Sequence, residues 1–164
     1  MRKPASFLDR DGVINVEKGY IHKISDFEWI AGAKNTIKRL NDNNFYVFVV
    51  TNQSGISKGL YTESDVAKLH EYINKELETI DAHIDDFFYS PYHPDFPDRY
   101  IDLSNLRKPD IGMLEMAEKK WDFDKSKSFL FGDKESDLSC ANKYGIKGYL
   151  FESDNLEDFI KKII

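Results

Sequence analysis

The stretch Phe7-Leu8-Asp9-Arg10-Asp11-Gly12-Val13 joins a short apolar run to two carboxylates one residue apart, and a glycine follows them. If Ala5 to Leu8 form a strand that stops at Asp9, the loop after it opens at the strand's carboxyl end, where open α/β sheets bind ligands. Alternate side chains of a strand share a face, so Asp9 and Asp11 can point into one pocket and share a divalent cation. The same residues also make an ordinary polar turn, because Asp and Gly are favoured there. The heptapeptide alone leaves both readings open.

Moving outward, Ala33, Ile37 and Leu40 recur at helical spacing, and Tyr46 to Val50 form a β-branched and aromatic run that ends at Thr51. Thr62 with Asp65 matches a helix N-cap pair, and Val66, Leu69, Ile73, Leu77 and Ile80 continue as one apolar stripe that reads as core. Ile84 to Tyr89 read as a third strand, residues 91–109 as a long loop rich in Pro and Asp, and Ile111 to Trp121 as a helix. Phe129 to Phe131 read as a fourth strand ending at Gly132-Asp133, and Leu138 to Tyr144 as a helix stopped by Gly145. Tyr149 to Phe151 read as a fifth strand and Leu156 to Ile164 as a last short helix. Strands that alternate with helices predict an α/β fold, a doubly wound parallel sheet of about five strands with crossover helices. One domain over residues 1–164 is expected, since a chain of this length builds a single core.

Composition narrows the function. A content of 41% hydrophobic and 32% charged residues is that of a water-soluble globular chain, and no apolar run reaches the roughly 20 residues needed to span a bilayer. The start, Met1-Arg2-Lys3-Pro4, leads into too few apolar residues for a secretory signal, so a cytoplasmic location without membrane association is expected. The single cysteine, Cys140, excludes an internal disulfide and any multi-cysteine zinc cluster, and reads as a buried, inert thiol. A formal charge of −6 argues against a nucleic-acid partner, whose phosphates demand Lys and Arg. A monomer acting on a small molecule is expected.

Reactive or phosphate-binding residue types stand in the loops after the first, second and fourth strands and in the one before the helix at Ile111: Asp9, Thr51, Asp133 and Lys108. In a parallel sheet the loops after the strands open on one edge, so these residues would converge there. Phosphoryl transfer needs a nucleophile, a proton donor, a cation and hydrogen-bond donors around the phosphoryl oxygens, and the four loops hold all of them.

Taken together, Asp9-Arg10-Asp11-Gly12-Val13, Val50-Thr51-Asn52-Gln53-Ser54-Gly55, Arg107-Lys108-Pro109 and Gly132-Asp133-Lys134-x-x-Asp137 resemble the haloacid dehalogenase superfamily of phosphatases. With Ile14-Asn15, Gly19-Tyr20 and Ile56 added, the match is similar to the heptose bisphosphate and histidinol-phosphate phosphatases. The resemblance implies a three-layer, Rossmann-like domain with a minimal cap, because the stretch from Asp11 to Thr51 reads as one loop and one crossover helix. It implies a Mg²⁺-dependent phosphomonoesterase working through an aspartyl-phosphate on a sugar phosphate ester. Heptose 1,7-bisphosphate is the leading substrate and histidinol phosphate, or a broader set of small phosphate esters, the alternative. A non-catalytic scaffold of the same fold is the competing class; retention of Asp9, Asp11, Lys108 and Asp133 together speaks against it.

The roles carried over are these. Asp9 is the nucleophile and a metal ligand, and Asp11 the acid and base, with its backbone carbonyl on the metal. Asp133 completes the metal set, Thr51 donates its hydroxyl to the phosphoryl group, and Lys108 neutralises it. Arg10, Glu17, Lys18, Gly19, Tyr20, Asn52, Gln53, Ser54, Arg107 and Lys134 are the expected substrate contacts, while Asp137 is expected to orient Lys108 or another group of the site rather than to bind the metal. A departure lies in the long loop. The related enzymes carry Cys-x-His after the third strand and Cys-x-Cys before Arg-Lys-Pro, holding a structural zinc; here Ser90, Tyr92, Ser104 and Leu106 stand instead. A structural zinc wants four N or S ligands, so no zinc is expected; the aromatics Tyr89, Tyr92, Phe96 and Tyr100 either order the loop by packing or stand exposed on it. His93 reads as a loop hydrogen-bonder, and His22, His70 and His83 give no functional signal.

Overall fold

The computed structural model describes all 164 residues. Its centre is a five-stranded sheet, all parallel, in the order β3-β2-β1-β4-β5. The strands are β1 (Ala5–Leu8), β2 (Tyr46–Asn52), β3 (Asp86–Ser90), β4 (Phe129–Gly132) and β5 (Lys147–Leu150). The helices are α1 (Ala33–Asp42), α2 (Glu63–Glu78), α3 (Gly112–Lys120), α4 (Glu135–Tyr144) and α5 (Leu156–Ile160).

Side-chain alternation divides the core into two layers. Leu8, Val47, Val49, Phe129 and Phe131 pack with residues of α1, α2 and α5 on one face. Ala5, Phe7, Phe48, Val50 and Leu130 pack with residues of α3 and α4 on the other. Central strands buried on both faces read as unbroken apolar runs, which is why β1, β2 and β4 are legible in sequence. The chain reverses at β1: β2 and β3 extend the sheet to one side, β4 and β5 to the other. This is the topological switch point where ligands sit in such sheets, and Asp9 follows β1 directly.

Four element boundaries differ from the sequence expectation, each for a local reason. β3 begins at Asp86 because both backbone groups of Ile84 are taken by the Asn74 side chain, at 2.8 and 3.0 Å. α4 starts at Glu135 rather than Leu138, since Asp137 Oδ2 accepts the backbone N–H groups of Asp133 and Lys134 and caps its first turn. β5 runs over Lys147–Leu150 rather than 149–151, because pairing with β4 sets its register whatever the propensities of Lys147 and Gly148. α5 stops at Ile160; the chain then turns so that the backbone oxygen of Ile164 accepts from Arg39 Nη2 at 2.7 Å.

The Thr62–Asp65 pair forms a full capping box, and Gly145 ends α4 at φ 92°. Cys140 is buried, its thiol pushed up to about 11 by burial. No helix is long and apolar enough to cross a membrane.

Candidate active site

At the carboxyl edge of the sheet, Lys108 brings three segments together. Its Nζ donates to Asp9 Oδ1 at 2.9 Å, to Asp137 Oδ1 at 2.6 Å and to the Val50 carbonyl at 2.8 Å, which uses all three ammonium protons. Lys108 is 4% exposed and Asp9 7%. Burial disfavours the ammonium, but the carboxylates of Asp9 and Asp137 outweigh it and hold Lys108 above its ordinary value, fully protonated. Burial, with the nearby charges of Asp137 and Asp133, pushes the Asp9 carboxyl up in spite of Lys108, so carboxylate charge is in excess where no divalent cation balances it. The loop that delivers Lys108 is held by Asn52, whose side-chain amide pairs with both the N–H and the carbonyl of Lys108, at 3.0 and 3.2 Å.

Carboxylate oxygens of Asp9, Asp133 and Asp137 lie within 4.8 Å of one another. Asp137 is already committed, Oδ1 to Lys108 and Oδ2 to two backbone amides. Asp133 Oδ1, by contrast, is buried without any hydrogen-bond partner. A desolvated, unpaired carboxylate oxygen beside a second carboxylate suits a hard cation that prefers oxygen ligands. Gly12 makes room for the Asp133 carboxylate: its φ is +92°, and a Cβ there would lie 2.0 Å from Asp133 Oδ2.

The Asp11 carboxylate is held by three neighbours. Arg10 Nη2 donates to Oδ1 at 3.0 Å and Oδ2 at 3.2 Å, Asn15 Nδ2 to Oδ1 at 3.0 Å, and Gln53 Nε2 to Oδ2 at 3.0 Å. Gln53 Nε2 also donates to Thr51 Oγ1 at 2.8 Å, and Gln53 Oε1 accepts from the Tyr61 hydroxyl at 2.5 Å. Because Thr51 Oγ1 accepts that bond, its own proton is left to donate elsewhere.

A cavity of about 540 Å³ opens beside these groups, lined by Asp11, Glu17, Gly19, Tyr20, Asn52, Gln53 and Ser54 and by Arg107, Lys108 and Lys134. A smaller one of about 60 Å³ adjoins it, sharing Asp11, Glu17, Asn52, Lys108, Lys134 and Ser136 and adding Asp9 and Asp137. Most expected contacts therefore converge. Three are placed differently. Arg10 is wholly buried and on neither cavity wall, because its odd-even position after β1 turns it to the α1/α2 face; the expectation of a substrate contact is corrected. Lys18 points away, 3.5 Å from Glu28, on the outside of its loop. Thr51 is 1% exposed and lies behind Gln53 rather than on a wall. Asn52 and Gln53 line the cavity, but their amides are largely spent on Lys108, Asp11 and Thr51.

Several contributors escape sequence reading. Asn15, Tyr61 and Ser136 give no signal by residue type. His70 does leave one in retrospect, a polar residue on the apolar stripe of α2.

The 91–109 loop contains a short helical turn at Ile101–Leu106, with Ser90 and Leu106 buried. Tyr89 and Tyr100 pack on Ile56, Tyr61 and Val66, and the Tyr89 hydroxyl donates to Glu63 at 2.6 Å. Arg107 Nη1 donates to the Tyr92 carbonyl at 3.3 Å, and Ser57 Oγ to that of Pro91. His93 Nδ1 accepts from the Asp95 N–H at 3.1 Å.

A parallel α/β sheet with an aspartate after the strand at its switch point, a buried lysine on that aspartate and a further aspartate pair after β4 defines a phosphatase of the haloacid dehalogenase type. A family model described as polynucleotide kinase 3 phosphatase matches residues 5–156. The D-glycero-beta-D-manno-heptose-1,7-bisphosphate 7-phosphatase of Rhodopseudomonas palustris is 40% identical over 164 residues, covering 99% of this chain and 91% of that protein. The same-named enzyme of Escherichia coli K12 is 40% identical over 139 residues, 84% of this chain and 73% of that one. The crystal structure of a D,D-heptose 1,7-bisphosphate phosphatase from B. bronchiseptica, complexed with magnesium and phosphate, superposes with a TM-score of 0.80 at 28% identity, covering 97% of this chain and 86% of that one. The chain belongs to the haloacid dehalogenase-like phosphatases and, within them, to the heptose-1,7-bisphosphate 7-phosphatase family.

Proposed function

We propose that this protein is a Mg²⁺-dependent phosphomonoesterase that removes the 7-phosphate of a D-glycero-D-manno-heptose 1,7-bisphosphate. The observation that carries it is the meeting of Asp9, Lys108 and Asp137 beside the unpaired Asp133 Oδ1, in a chain 40% identical to an enzyme of that name.

Asp9 attacks phosphorus, forming an Asp9–phosphoryl bond as the bond from phosphorus to the sugar oxygen breaks, and the departing alkoxide takes its proton from Asp11. Asp11 then removes a proton from water as that water attacks phosphorus, which breaks the Asp9–phosphoryl bond and frees phosphate. The difficulty in the first step is repulsion: two unit negative charges about 4 Å apart cost about 1 kcal/mol in water and about 4 kcal/mol at an effective dielectric of 20. Lys108 offsets part of this through its contact with Asp9. Asp9, Asp133 and the Asp11 carbonyl are the proposed holders of Mg²⁺, which when bound neutralises phosphoryl charge. Thr51, buried behind Gln53, supports the site through that side chain, whose Nε2 bridges Thr51 Oγ1 and Asp11 Oδ2. Arg107 and Lys134, both on the cavity wall, meet the distal phosphate, while Glu17, Gly19, Tyr20 and Ser54 face the sugar.

The matched family model carries the description polynucleotide kinase 3 phosphatase, yet a formal charge of −6 supports a small ester over a nucleic acid. Relatives named for the β anomer and for the α anomer are 40% and 39% identical, so the reading extends to either anomer. We also infer that the 91–109 loop is ordered without zinc, by Tyr89 and Tyr100 packing on Tyr61 and its neighbours and by the Arg107–Tyr92 bond.

Incubation of both heptose bisphosphate anomers and histidinol phosphate with protein and Mg²⁺, followed by phosphorus NMR, tests the substrate. Loss of the 7-phosphate signal with kcat/KM favouring a heptose bisphosphate is expected. Preference for histidinol phosphate contradicts the reading.

A further inference from the structure

An ionised guanidinium taken out of water is tolerated where its charge and most of its N–H groups are met. Arg10 is fully buried; its Nε has no partner, but both terminal nitrogens do. Its Nη2 donates to the Ile21 carbonyl at 2.7 Å and to both oxygens of Asp11. Its Nη1 lies 3.3 Å from His70 Nε2; a guanidinium only donates, so Nε2 accepts and the imidazole carries its proton on Nδ1. His70 sits on α2 between the core residues Leu69 and Ile73, and its ring stacks on Phe87 of β3 with centroids 4.3 Å apart. Burial, then the charge of Arg10, pushes the imidazole well below its ordinary value, in keeping with a neutral ring. The contact thus runs from the packed core through His70 and Arg10 to one side chain of the site, Asp11.

We propose that Arg10 and His70 are positioning residues for the hydrolysis: Arg10 sets where the Asp11 carboxylate stands, and His70 sets where Arg10 stands. This rests on Asp11 acting as acid and base. Neither residue reaches the cavity wall, so neither touches substrate. Their loss acts on the proton-transfer steps and spares attack by Asp9 on an ester whose leaving group needs no proton.

The test compares heptose bisphosphate with p-nitrophenyl phosphate, whose nitrophenolate departs unprotonated, in Arg10→Ala, His70→Leu, His70→Gln and, as reference, Asp11→Asn. Steady-state kcat on the sugar phosphate should fall about 10²-fold in Arg10→Ala and about tenfold in His70→Leu with KM held, as displacement of a catalytic group does. A stoichiometric nitrophenolate burst should persist at the parent rate, and phosphorylated protein should accumulate. His70→Gln, which restores a neutral acceptor, should recover turnover, and added guanidinium should partly rescue Arg10→Ala. Folded His70→Leu with parent turnover, or equal loss of burst and turnover, overturns the proposal. If Arg10→Ala is recovered only unfolded, the two His70 variants, which keep the guanidinium, decide between the same two outcomes. Asp11→Asn should burst without turning over; parent turnover in that variant overturns the acid–base reading itself and not merely its support.

Discussion

At the scale of single residues, Gly12 and His70 show how much of the site depends on groups that do no chemistry. A methyl at Gly12 meets both a left-handed φ and the carboxylate of Asp133, so Gly12→Ala should displace a metal ligand. We expect Mg²⁺ affinity, read by titration calorimetry, to fall more than tenfold, about 1.4 kcal/mol or more. His70 makes a pH prediction. Its folded value is depressed by burial and by Arg10, so below the ordinary imidazole value the unfolded chain takes up a proton that the folded chain refuses. Its contribution to stability is therefore present near neutral pH and lost as pH falls, with a slope of up to about 1.4 kcal/mol per pH unit. Urea midpoints at neutral and mildly acid pH should diverge between the parent and His70→Gln, the variant losing less; equal losses contradict this. Asp9, Asp11, Lys108 and Asp133 are legible in sequence because each follows an apolar strand or precedes a helix in a recognisable motif. Arg10 reads wrongly as a substrate contact because its motif neighbours are catalytic types, whereas alternation after β1 turns it inward. His70 shows in sequence only as a polar residue on an apolar stripe, because its partner lies sixty residues away and no local pattern encodes that contact.

At the scale of elements, α2 and the 91–109 loop pack together beside the cavity through Tyr61, Val66, Tyr89 and Tyr100, and the end of that loop, Arg107 to Pro109, lines it. The capping box fixes the start of α2, close to Tyr61 and to Glu63, the acceptor for Tyr89. Thr62→Ala should cost about 1 kcal/mol in chemical denaturation, the usual worth of an N-cap. Tyr89→Phe keeps the packing on Ile56 and Val66 but removes the bond to Glu63. If the loop shapes the substrate pocket, that variant should raise KM with kcat nearly unchanged; a fall in kcat alone would place the loop's influence on the chemistry instead. Strands buried on both faces are legible to within a residue or two, as are the stripe and cap of α2. Boundaries at β3, α4 and β5 are not, because Asn74, Asp137 and the β4 ladder set them through contacts that propensity does not contain.

At the scale of the whole molecule, reversal of the sheet at β1 gathers motifs from both halves of the chain onto one edge, and a carboxylate excess results there. A divalent cation that binds this site in the folded state only should stabilise the protein by about 2.7 kcal/mol at a hundred times its Kd, seen as a rise in Tm that Asp133→Asn abolishes. Elemental analysis of the purified protein should find no stoichiometric zinc, since Ser90, Tyr92, Ser104 and Leu106 offer no thiolate or imidazole; one zinc per chain would contradict the account of the loop. Fold class and the edge on which the site lies can be read from the order of apolar runs alone. The cavity's depth and the donors around Asp11 require the packed structure. The central claim is that Asp9 carries the phosphoryl group. Acid quench during turnover with Mg²⁺, followed by borohydride reduction and peptide mass spectrometry, tests it most directly. The account predicts homoserine in place of Asp9, and none in an Asp9→Asn control that has lost phosphate release. Phosphate release that persists in Asp9→Asn, or a trapped phosphoryl group on another residue, would contradict it.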